Sequence, residues 1–129
     1  MPRRAPLDGD GLLFERPVQR QAIDLLARIW IATVHTPNGA HLAGSKLSRA
    51  KQMAALKRDG VRPGFPDLTL FDTRAKGRIG FLEVKREAGG VVSEDQLDWG
   101  AKLTGWGFPF AIIERPEEAI DAVKRWGWR

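Results

Sequence analysis

Two short apolar runs fix the centre of this chain: Gly64-Phe65-Pro66-Asp67-Leu68-Thr69-Leu70-Phe71 and Gly80-Phe81-Leu82-Glu83-Val84-Lys85. Both read as buried strands, separated by the polar turn Asp72-Thr73-Arg74-Ala75-Lys76-Gly77-Arg78. An antiparallel pair joined by that turn sets Asp67, early in the first strand, near Glu83 and Lys85, late in the second. Side chains alternate along a strand, so Glu83 and Lys85 share a face while Val84 points the other way. Two carboxylates and an ammonium crowded onto one face repel or stay unpaired unless something holds them there. A divalent cation held by the carboxylates, with Lys85 facing the same centre, is such a reason.

The chain has 129 residues, a length that suits one domain with one core. It has no cysteine, which excludes disulfides, thiolate zinc sites and cysteine nucleophiles, and which is compatible with a reducing, cytoplasmic setting. No apolar run approaches the ~18 residues of a membrane span, and no apolar core follows Met1-Pro2-Arg3-Arg4, so neither a membrane partner nor a secretory signal is expected. The net charge is +5, and it is unevenly spread. Through Arg62 there are eleven Lys/Arg against five Asp/Glu, and after it ten against eleven. The basic excess therefore precedes the Pro-Asp pair, as expected if one half grips a polyanion and the other holds metal.

Residues 1–13 lack periodicity and read as a flexible N-terminal arm, with one domain over 14–129. A first helix is expected to open near Arg16-Pro17 and run to about Trp30, with Val18, Ala22, Leu25, Leu26 and Ile29 as its apolar stripe. Glu15 lies beside that stripe; its bland role is a first-turn acid favoured by the helix dipole. Ile31-Ala32-Thr33-Val34 is a short strand or a frayed helix end. A second helix fits from Ser45 or Leu47 to Asp59, closed by Gly60. Ala50, Met53, Ala54 and Leu56 give it a modest apolar side, and Lys46, Arg49, Lys51, Lys57 and Arg58 make the rest basic. Such a face is commonly just solvated; beside a candidate metal site, it also fits phosphate binding.

Ser93-Glu94-Asp95-Gln96 fits a capping box, with Gln96 reaching back to the Ser93 backbone, and opens a third helix that runs to Gly105. A strand over 108–113 follows, with Pro109 near its start or at an edge, then a last helix opened by Pro116 with Ala119, Ile120, Val123 and Trp126 inward. The resulting order implies a mixed sheet flanked by helices. The five tryptophans fit packing better than base stacking, and His35 and His41 lack the paired spacing of a metal site.

Hydrolysis of a phosphodiester needs an activated water, neutralised charge on the phosphate and help for the leaving oxygen. Magnesium held by one or two carboxylates and phosphate oxygens meets those needs. Asp67 and Glu83 are the candidate ligands, with the Val84 carbonyl beside them and Glu15 for a second ion or its water shell. Lys85 then orients or deprotonates the water, or stabilises developing charge. The bland alternative makes Glu83 and Lys85 a solvated ion pair at the sheet end.

The Pro-Asp and Glu-x-Lys elements resemble the PD-(D/E)xK nucleases. The longer run His35-Thr36-Pro37-Asn38-Gly39, Gly64-Phe65-Pro66-Asp67-Leu68, Glu83-Val84-Lys85, Ser93-Glu94-Asp95-Gln96 and Gly105-Trp106-Gly107 resembles the VRR-NUC (virus-type replication-repair nuclease) family over roughly Glu15 to Trp126. That resemblance implies an α/β, restriction-endonuclease-like mixed β-sheet flanked by α-helices. It implies catalytic roles for Asp67, Glu83, Lys85, Gln96 and Glu15, and an endonuclease dependent on Mg²⁺ or Mn²⁺. Gln96 is then expected both to cap its helix and to face the active site. Asn38, Lys46, Arg49, Lys51, Lys57, Arg58 and Arg62 are the expected DNA contacts. Stand-alone members of the family, typical of phages and bacteria, resemble Holliday-junction resolvases and act as homodimers, for which Leu97, Trp99 and Trp106 are candidate contact residues. The expected partner is therefore branched or four-way DNA in the cytoplasm of a bacterium or phage-infected host. A flap or nicking endonuclease and a non-catalytic basic DNA-binding module are the alternatives.

Overall fold

The two apolar runs do pair, and the sheet grows outward from them. The computed structural model describes residues 11–37, 42–85 and 90–129, with the side chains of the first helix described from Pro17 onward. The elements follow as α1 (Gly11–Arg28), β1 (Ile31–His35), α2 (Lys46–Arg58), β2 (Leu68–Asp72), β3 (Ile79–Val84), α3 (Glu94–Gly105), β4 (Phe110–Ile113) and α4 (Glu117–Arg125). The sheet order is β1-β2-β3-β4, antiparallel across the first two pairs and parallel between β3 and β4. A parallel pair needs a crossover longer than a turn, and α3 provides it. This is the mixed α/β sheet expected from the sequence.

One sheet face carries Leu68, Leu70, Leu82, Val84, Ala111 and Ile113 against Ala22 and Leu26 of α1 and Ala119, Ala122 and Val123 of α4. Trp128 closes this core. The opposite face meets α3 through aromatic edges: Phe65 packs on Phe81 and Trp99, and Phe81 on Phe108. β3 lies between the two layers and is buried along almost its whole length. Gly80 on β3 has to be glycine, because a Cβ there would stand 2.5 Å from the Trp126 ring.

Several boundaries differ from expectation, each for a local reason. α1 opens at Gly11, five residues before Arg16, and holds Pro17 internally. Glu15 is thus the fifth helical residue, and the first turn contains no acid, which removes the dipole account of it. Gly11 to Leu13 belong to this helix and not to an irregular arm, while residues 1–10 lie outside the described residues. α1 stops at Arg28 because Trp30 turns left-handed at φ 67°, and its carbonyl accepts the Thr73 N–H. The segment after it is a true strand, β1. β2 begins at Leu68, not Gly64: Gly64 is left-handed at φ 82° and Pro66 has no N–H to give a ladder. Asp67 therefore sits in the bend just before the strand. Asp72, expected in the solvated turn, is buried as the last residue of β2 and is paired with Arg129 at 2.8 Å and Arg78 at 3.3 Å. On α3 the buried residues are Gly100 and Leu103, whereas Leu97 is exposed.

α2 starts and ends where its signals place it, with Ser45 Oγ accepting the Ser48 N–H and Gly60 left-handed at φ 101°. Yet none of its residues is fully buried, and Met53 and Leu56 on its modest apolar side are only half-buried.

Candidate active site

The site forms where the bend before β2 meets the end of β3. The antiparallel register sets Leu68 opposite Leu82, which places Asp67 level with Glu83. Asp67 is held from two sides. Its carbonyl accepts the Thr36 N–H at 2.8 Å and the His35 Nδ1–H at 3.0 Å, and its Oδ2 accepts the Val84 N–H at 2.8 Å. A short acidic side chain gripped at its main chain and one oxygen has little freedom left, and its other oxygen faces Glu83.

Glu83 is 2% exposed. Its Oε1 accepts a hydrogen bond from Gln96 Nε2 at 2.9 Å and lies 3.7 Å from Lys85 Nζ. Its Oε2 is buried with no hydrogen-bond partner. Burial and the neighbouring Asp67 carboxylate push the Glu83 carboxyl up to about 8, only partly opposed by Lys85. Lys85 is itself only 8% exposed, so the solvated ion-pair reading of Glu83 and Lys85 does not hold. A buried carboxyl is costly to ionise and a second one beside it raises the cost, so Glu83 holds its proton against Asp67. The Asp67 and Glu83 oxygens are hard donors of the type that Mg²⁺ and Mn²⁺ take, so the residues present fit such an ion.

Gln96 does two things at once. Its Oε1 accepts the Ser93 N–H at 2.9 Å and its backbone N–H donates to Ser93 Oγ at 3.2 Å, which completes the capping box. Its Nε2 meanwhile reaches Glu83. The first turn of α3 is brought this close by Gly64: a Cβ there would stand 2.5 Å from the Asp95 carbonyl carbon.

The structure thus gathers Asp67, Glu83, Lys85 and Gln96 in one place. Val84 joins through its main-chain N–H, its side chain lying in the core. The Glu15 side chain, Asn38 and His41 lie outside the described residues. Among the described residues no cluster of three or more acidic, histidine or cysteine side chains forms. Lys46, Arg49, Lys51, Lys57 and Arg58 are all exposed along α2, and Arg62 is exposed beyond it. The Arg62 guanidinium donates to the Lys57 carbonyl at 2.7 Å, so part of its donor capacity closes the helix end. Sequence reasoning missed the clamp on Asp67 by His35 and Thr36. It also missed Gly64, whose sole mark in the sequence is its place before Phe-Pro-Asp.

Among the described residues, no helix is long and apolar enough to cross a membrane. No curated protein matches the chain. One solved structure described as a VRR_NUC domain protein is similar at 17% identity over 87% of this chain and 86% of its own, with a TM-score of 0.61. A second, described as a VRR_NUC domain, is similar at 17% identity over 87% of this chain and 96% of its own, with a TM-score of 0.58. At such identity the likeness speaks for the fold. The sequence model of the VRR-NUC domain matches residues 18–114, a span that holds Asp67, Glu83, Lys85 and Gln96. With most of its length inside that model, the chain belongs to the VRR-NUC family of nucleases.

Proposed function

We propose that the chain is a metal-dependent, structure-selective DNA endonuclease that resolves Holliday junctions as a homodimer. One observation carries the hydrolytic part: the buried Glu83 carboxyl set against Asp67, which raises it, with Lys85 on the same side. A module that only bound DNA would gain nothing from paired carboxylates near phosphate oxygens. When bound, Mg²⁺ or Mn²⁺ supplies charge neutralisation and a more acidic water. Asp67 and Glu83 are the side chains to hold it, with the Val84 carbonyl as an additional oxygen and Glu15 as a further acid.

Lys85 holds the attacking water or stabilises charge gathering on the phosphate, while Gln96 keeps one Glu83 oxygen occupied. The cations of α2, joined by Arg62 and Asn38, hold flanking phosphates; α2 contains five Lys/Arg and no acid. Two symmetric nicks in a four-way junction need two active sites, and a C2 dimer of a small domain offers them. Leu97 and Trp106 are exposed apolar residues on or next to α3 from which such a contact can be built.

Cleavage of matched labelled substrates (four-way junction, flap, splayed arm and linear duplex) tests this in Mg²⁺, in Ca²⁺ and with Lys85→Ala. Paired symmetric cuts confined to the junction, absent in Ca²⁺ and in the variant, are expected. Cutting at flaps or nicks would retain the hydrolytic centre and remove the resolvase assignment. Tight binding without cleavage in Mg²⁺ or Mn²⁺ would leave a binding module.

A further inference from the structure

The Gln96 amide has an oxygen on one side and a nitrogen on the other, so whatever fixes one end fixes what the other end presents. Its Oε1 is taken by the Ser93 N–H and its Nε2 meets Glu83 Oε1. Ser93 in turn accepts the Gln96 backbone N–H through its Oγ, so the side chain and main chain of Ser93 grip the same residue. Rotating the amide would set two oxygens, Gln96 Oε1 and Glu83 Oε1, against each other. On Glu83, Oε1 is consequently the oxygen that Gln96 donates to and that lies 3.7 Å from Lys85 Nζ, while Oε2 receives no such donor.

We infer that Ser93 is a positioning residue of the active site: its backbone N–H fixes the Gln96 amide oxygen, its Oγ holds the first turn of the helix that carries Gln96, and together they aim Gln96 Nε2 at Glu83. This inference rests on the metal-dependent reading above. The capping box is ordinarily a device for starting a helix. Here it is also an outer layer of the ligand set, where loss of a partner typically lowers metal affinity about 10–100-fold. Gly64 supports the arrangement, since it alone lets the loop carrying Asp67 close on the turn carrying Ser93 and Gln96.

The test compares wild type with Ser93→Ala and Ser93→Thr, the latter keeping a hydroxyl acceptor at the cap. Two readouts are followed: the Gln96 side-chain amide resonances of the metal-free protein, and Mn²⁺ affinity by calorimetry without DNA. Ser93→Ala keeps the backbone N–H but loses the Oγ that holds the first turn of α3, so the Gln96 amide resonances should shift toward those of Glu83→Ala and Mn²⁺ affinity should fall about tenfold. Ser93→Thr should restore both. If Ser93→Ala merely lowers the melting temperature while resonances and affinity stay put, Ser93 is a helix cap and nothing more. If wild type binds no Mn²⁺, the metal reading fails on its own. The amide resonances then still report whether Ser93 orients Gln96.

Discussion

Glu83→Gln should make the metal-free protein more stable, and increasingly so as pH rises. In the fold the Glu83 carboxyl is pushed up to about 8, from 4.5 in the ordinary case. Between those values the unfolded chain has lost the proton and the folded protein keeps it. The folded state therefore binds more protons, and stability must fall as pH rises across the window. At about 1.4 kcal/mol per pH unit, the span from 4.5 to about 8 corresponds to a loss of at most about 5 kcal/mol, set by Glu83 together with the neighbouring Asp67. Glutamine is a neutral match for the protonated acid and can still accept from Gln96 Nε2. In EDTA, urea unfolding curves of wild type and Glu83→Gln should nearly coincide at pH 5 and separate by several kcal/mol at pH 8, with Glu83→Gln the more stable. Added Mn²⁺ should raise wild type and leave Glu83→Gln unmoved, because binding selects the ionised carboxylate. Parallel pH profiles for the two proteins would refute the argument that burial beside Asp67 governs this carboxyl.

Asp72 behaves in the opposite sense: its pairing with Arg129 holds its carboxyl down at about 2, so its contribution is full above pH 4 and is lost as pH falls toward 2. Asp72→Ala should destabilise by about 2–4 kcal/mol in thermal unfolding, somewhat less than a wholly buried pair, since the Arg129 side chain keeps 16% exposure. Gly64→Ala adds a Cβ both in a left-handed backbone and into the Asp95 main chain, so Mn²⁺ affinity and melting temperature should drop together. Replacing Lys46, Arg49 and Lys51 with Gln should flatten the salt dependence of DNA affinity by nearly one unit of log–log slope per lost phosphate contact, with melting temperature unchanged. Leu26→Ala, emptying a fully buried site between α1 and the sheet, should cost about 2–5 kcal/mol in urea unfolding without moving Mn²⁺ affinity.

Much of this was legible because local rules and tertiary packing agreed. Gly60 and Ser93 marked their helix ends correctly, and the alternation around Glu83, Val84 and Lys85 put the middle residue in the core. Gln96 was expected at the site from the family resemblance, and its capping-box place fixed only its position on α3; β3 ends at Val84 and α3 begins at Glu94. What escaped prediction depends on partners far along the chain. Asp72 looks like a turn residue until Arg129, 57 positions away, is placed beside it. His35 looks idle until β1 brings it to the Asp67 carbonyl, 32 positions on. Gly64 looks like any turn glycine until the Asp95 backbone arrives. Pro17 misled for another reason: proline suits a first turn, but here α1 tolerates it farther inside.

The solitary position of α2 has a mutational corollary. A 13-residue helix that fully buries none of its side chains adds little to the core, so almost any sequence with adequate helical propensity can occupy that segment without unfolding the molecule. Substitutions along α2 should therefore cost less folding stability than substitutions in β2 and β3, whose side chains form the core. The surface chemistry of this one exposed helix can thus be altered in steps that are each nearly neutral for folding.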